Sequence, residues 1–89
     1  MSDTSPEVLE AFRYTNERGE ASLVVWCRHC ARWHWHGAGR SPGAGDGHRV
    51  AHCGDDQSPY TRIGYTLQEV GTITARDMRQ RRLRQKGRR

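Results

Sequence analysis

Cys27-Arg28-His29-Cys30 sets two thiols three positions apart, the spacing at which both thiolates converge on one ion, with Zn–S about 2.3 Å in a tetrahedral shell. His52-Cys53 follows as a second pair of soft donors. Together Cys27, Cys30, His52 and Cys53 form a candidate structural zinc site, and four protein ligands leave no open position at which water is activated. Strand geometry selects among the later donors. If residues 31–36 leave the Cys-x-x-Cys knuckle and residues 48–53 return antiparallel beside them, Cys53 ends near Cys30. His48 then lies roughly 16 Å from Cys53, too far to share the ion. A helical 48–53 would instead pair His48 with His52 at i,i+4 and spare Cys53. His34, the histidine nearest in sequence to Cys30 among those left over, is an alternative ligand.

The competing readings of the thiols are weaker. Three cysteines leave one over after any disulfide, and a thioredoxin-like redox motif needs a βαβ context that this pattern lacks. Two unrelated buried thiols, packing as small hydrophobes, are the bland alternative.

Two other groups could do chemistry. His34, His36 and His48, with Asp46, have the donor types of an open second metal that activates water for phosphodiester hydrolysis, so a metal-dependent nuclease is one alternative function. No nuclease signature accompanies them, and exposed strand histidines are ordinarily polar-face residues. Trp26, Trp33 and Trp35, with Tyr60 and Tyr65, supply most of the large apolar surface. Trp33 and Trp35 share one face of a strand and are expected to cover a hairpin core, base stacking being their functional alternative.

The elements that position these groups are read from periodicity. Residues 1–10 resemble a flexible lead-in with one helical turn after Pro6. Phe12-Arg13-Tyr14-Thr15 and Ala21-Ser22-Leu23-Val24-Val25-Trp26 flank a Gly-containing turn, a hairpin signal. Ala31 to His36 alternates as a third strand, with Trp33 and Trp35 on one side and His34 and His36 on the other. Residues 37–47 hold five glycines and a proline, which predicts a mobile loop. His48 to Cys53 is expected to return beside residues 31–36, and Ile63 to Val70 suits a final strand. Thr74-Ala75-Arg76-Asp77 reads as a helix N-cap with an acid at its third position, opening a helix from about Ala75 to Arg84. Ile73, Met78 and Leu83 recur at intervals of five and line no stripe, so that helix lacks a core face.

Charge is placed unevenly. The 89 residues carry 15 bases, 10 acids and a net charge of +5, and the pI is about 9.7. Residues 76–89 alone hold eight bases, Arg76, Arg79, Arg81, Arg82, Arg84, Lys86, Arg88 and Arg89, against Asp77. The remaining 75 residues are slightly acidic. A basic arm on an acidic body suits phosphate backbones, where each neutralised phosphate releases counterion; a solvated tail is its bland counterpart.

The apolar share is 34% and the mean hydropathy is −0.98. No stretch reaches a membrane span, and no secretory signal is visible, so a soluble cytoplasmic protein without membrane contact is expected. Some sixty residues between the termini must form the core, a size that usually needs a disulfide, a metal or a partner.

The stretch from Trp26 to Cys53 resembles small zinc-ribbon and zinc-knuckle domains, with His52-Cys53 standing where a ribbon has its second Cys-x-x-Cys. With its arginine bias the chain is similar to short uncharacterised zinc-finger-like proteins of GC-rich bacteria and their mobile elements. The expected architecture is α+β: a zinc-stabilised set of antiparallel β-hairpins over residues 11–74 with a basic C-terminal helix or arm over 75–89. The expected function is noncatalytic nucleic-acid binding, to DNA or RNA, as an accessory or regulatory protein. A protein-binding adaptor with a structural zinc is the second alternative.

Overall fold

The computed structural model describes residues 7–50 and 59–87, with side chains as far as Arg81 in the last helix. It is a small α+β fold. A mixed sheet of five strands carries two short helices: β1 (Glu7–Thr15), β2 (Ala21–Cys27), β3 (Arg32–Gly37), β4 (Gly47–Arg49), α1 (Pro59–Ile63), β5 (Tyr65–Thr72) and α2 (Ala75–Gly87). The strand order is β3-β2-β1-β5-β4. Only the β1–β5 pair is parallel.

The β1–β2 hairpin forms where expected, and local chemistry closes it. Asn16 Oδ1 accepts the Arg18 and Glu20 amides at 2.9 Å each, and Gly19 takes a positive φ of 82°. That combination of an Asx side chain and a left-handed glycine is what a tight turn requires.

Strand pairing sorts the side chains onto two faces. Arg13 is opposite Leu23, and Leu23, Val25 and Cys27 are opposite His36, His34 and Arg32, so these share one side, the cysteine face. Phe12, Val24 and Trp35 form one row of the other side, with Trp26 and Trp33 in the next; this is the tryptophan face. The main core lies on the cysteine face, where Ala11, Leu23, Val25, Cys27, Tyr65 and Leu67 pack with Ala38 and with Tyr60 of α1. A smaller cluster of Val24, Trp33 and Met78, joined by Phe12, Tyr14, Trp26 and Ile73, holds α2 on the tryptophan face.

Several sequence expectations change. Residues 7–10 are not a lead-in or a helical turn: they are strand, paired in parallel with Tyr65 to Gln68 of β5. That partner is more than fifty residues away, so the local composition carries no sign of it. β4 lies beside β5 and not beside β3, which puts His48 on the opposite edge of the sheet from His34 and His36.

The glycine-rich loop is braced. Arg13 donates to the carbonyls of Ala38, Gly39 and Ser41 at 2.9–3.1 Å while pairing with both oxygens of Glu69. Glu69 also accepts the Gly43 amide at 3.0 Å, and Asp46 Oδ1 accepts the Glu69 amide at 2.8 Å. Gly45 is required there, since a Cβ would stand 2.7 Å from the Gly37 carbonyl oxygen.

The last helix begins as expected from Thr74. Its Oγ1 accepts the Asp77 amide at 3.1 Å, and the Asp77 carboxylate accepts the Thr74 amide at 3.4 Å, a reciprocal cap. Met78 supplies the core contact that the five-residue spacing concealed. No described helix is long and apolar enough to cross a membrane.

Candidate metal centre

Residues 28–31 connect β2 to β3 in a turn of four residues, closed by the Ala31 amide donating to the Cys27 carbonyl at 2.8 Å. Ala31 adopts φ 54°, the left-handed region that a residue with a Cβ enters at a cost of roughly 1 kcal/mol. The turn folds Cys30 back toward the cysteine face. Because Cys27 is opposite Arg32, His34 two residues further on projects from the same face as Cys27.

The donor atoms of Cys27, Cys30 and His34 all lie within 4.8 Å of one another. Cys27 is fully buried, His34 is 5% exposed and Cys30 is half-buried. A tetrahedral zinc with bonds near 2.3 Å has ligand–ligand edges of about 3.8 Å, so the three atoms sit close to the required spacing. Two sulfurs and one imidazole nitrogen are a donor set that suits zinc. Among the described residues this is the only group of three such donors gathered in one place.

A polar collar surrounds the turn. Glu7 accepts two hydrogen bonds from Arg28, at 2.7 and 2.9 Å, and a third from the Tyr60 hydroxyl at 3.2 Å. His29 stands edge-on to the Tyr60 ring with centroids 4.6 Å apart, and the Arg28 guanidinium lies over that ring at 5.7 Å. The start of β1 and helix α1 thus grip both residues between the cysteines. Hydrogen bonds from Arg28 lower the Glu7 carboxyl pKa below the usual carboxylate value, against its partial burial. Burial first, and the Glu7 charge second, push the Tyr60 phenol up to about 12.

Of the four sequence-derived site residues, Cys27 and Cys30 lie among the described residues. Cys27 and Cys30 come together as expected. His52 and Cys53 lie outside the described residues, although Pro59, six positions beyond Cys53, opens α1, whose Tyr60 packs in the same core cluster as Cys27. His34, at first only an alternative, is the third donor shown. The signal was present in the turn length: a four-residue connection fixes which strand residues share a face, and alternation then selects His34.

The three leftover histidines are divided among different surroundings. His34 joins the cysteines, His36 Nε2 lies 2.6 Å from the Tyr65 hydroxyl, and His48 Nε2 lies 2.8 Å from the Ile63 carbonyl oxygen.

The basic residues of the C-terminal arm fall mostly in α2. Arg76 and Arg79 are exposed. Arg81 lies over the rings of Trp26 and Trp33, at 4.9 and 5.8 Å from their centroids. Arg82, Arg84 and Lys86 belong to the same helix, and Arg88 and Arg89 lie outside the described residues.

Comparison with protein-family models, curated proteins and solved structures finds no match.

Proposed function

We propose that this chain is a small zinc-clamped domain that binds nucleic acid without catalysing a reaction on it. The observation that supports the clamp is the convergence of Cys27, Cys30 and His34 within 4.8 Å at the end of the β2–β3 hairpin. The fourth ligand is Cys53 or His52. A six-residue tether to Pro59 spans up to about 20 Å, ample reach for a segment that must enter α1 in the cluster holding Cys27. A closed shell of protein ligands makes the ion structural, and thiolate ligation fits the reducing cytoplasm.

The nucleic-acid half rests on charge. The acidic body and the run of arginines from Arg76 onward separate the folded sheet from the phosphate-binding element. Arginine's planar fork suits bidentate phosphate contact, and such contacts supply affinity without reading sequence. The zinc-ribbon and knuckle resemblance of residues 26–53 belongs to the same proposal.

Metal analysis of the purified protein, paired with oligonucleotide titration over a range of salt, tests both halves. One zinc per chain is expected, lost in Cys27→Ser and in the double variant His52→Ala with Cys53→Ser. Log affinity should fall linearly with log salt, by about 0.9 for each neutralised phosphate. A metal-free folded protein rejects the clamp; salt-insensitive binding, or none, rejects the arm.

A further inference from the structure

Three tryptophans occupy the tryptophan face of β2 and β3, and the fold uses two of them. Trp26 and Trp33 stand edge to face with centroids 5.4 Å apart, Arg81 covers both, and Trp33 Nε1 donates to the Met78 carbonyl at 3.0 Å. Trp35 is the next residue on that face along β3, about 7 Å from Trp33 along the strand. It is 50% exposed. Tyr14 props it in an edge-on contact with centroids 5.5 Å apart, so the indole is held in place while half its surface meets solvent.

Its surroundings are open. β3 is an edge strand, with no described strand beyond it. The same face bears α2 with the exposed Arg76 and Arg79. A large aromatic on an unobstructed edge, on the face that carries the α2 arginines, has the chemistry of a base-stacking platform: every base offers a π face, and the cations hold the backbone.

We infer that Trp35 stacks an unpaired base of a single-stranded nucleic acid laid along the β3 edge, its phosphates held by the arginines of α2 on the same face. This rests on the nucleic-acid reading and adds a choice of substrate to it. A duplex keeps both faces of each base stacked and offers nothing to Trp35, whereas a single strand can splay a base onto it.

The test uses the full chain with its metal and three probes, a fifteen-nucleotide dT strand, the corresponding rU strand and a duplex of equal length. Either single strand, or both, is expected to bind more tightly than the duplex, the dT-to-rU ratio separating a DNA from an RNA ligand. Trp35→Ala should weaken single-strand binding by roughly 5- to 150-fold, leaving duplex binding and the salt slope unaltered, and Trp35→Phe should restore most of the loss. Equal binding of all three probes, unaffected by Trp35→Ala, overturns the stacking site while leaving the arginine arm standing. Salt-insensitive binding to every probe overturns the arm and the site together. Wild-type dimers that Trp35→Ala converts to monomers, without loss of single-strand affinity, overturn the site in favour of a second copy on the β3 edge.

Discussion

Ala31 is the residue that gives the candidate metal centre its shape, and it does so in a conformation suited to glycine. At φ 54° its Cβ crowds the backbone, a strain tolerated where the surroundings over-determine it. Ala31→Gly is expected to raise stability by about 0.5 kcal/mol, the relief of strain exceeding the added entropy of the unfolded chain. Urea unfolding of the metal-loaded protein reads the shift, and a lower midpoint would show that the turn is not strained. The convergence of the two cysteines was legible from spacing alone. His34 was named only as an alternative, because its membership depends on which residue of β3 stands opposite Cys27, a register that the closed turn specifies.

At the scale of elements, the β2–β3 hairpin works on both faces. Trp26 and Cys27 are neighbours that point to opposite sides, as are Trp33 and His34. An ion bound between Cys27 and His34 on one face would therefore also hold Trp26 beside Trp33 on the other, where Arg81 and Met78 dock α2. Removing the ion with a chelator should loosen that docking. Amide exchange in the first two turns of α2 is expected to accelerate at least tenfold, with a red shift of tryptophan emission, and an unaltered exchange pattern would uncouple helix from metal. The hairpin, the third strand and the Thr74 cap were readable because each is written in adjacent residues. The docking of α2 was hidden, since it depends on one methionine and a cation resting on indole rings, and neither makes a stripe of apolar residues.

For the whole molecule, Arg13 and Glu69 tie three distant stretches together: β1, β5 and the glycine-rich loop. Hydrogen bonds from Arg13 lower the Glu69 pKa below its ordinary 4.5, outweighing desolvation. A carboxyl whose pKa is lower folded than unfolded stabilises fully above pH 4.5 and loses that contribution as the pH falls through the folded value. Glu69→Gln should thus lower the melting temperature at pH 7, and the difference from wild type should close towards pH 3. A gap that persists in acid would assign the effect to packing. Composition predicts mobility for residues 37–47 because five glycines cost much entropy to order. The three loop carbonyls satisfied by one guanidinium offset that cost, and no local pattern could announce an arginine more than twenty residues upstream.

By itself the sequence determined the chemistry available to this protein: paired thiols at metal-binding spacing, a glycine turn between alternating strands, and arginines gathered at one end of a basic chain whose remainder is slightly acidic. Those features are local, because spacing, alternation and charge act between near neighbours. Tertiary structure alone decided that residues 7–10 pair with β5, that β4 lies at the far edge from β3, and that Trp35 faces outward. Pairing between strands depends on the shape and burial of surfaces contributed by distant segments, and that complementarity does not exist until the chain has folded.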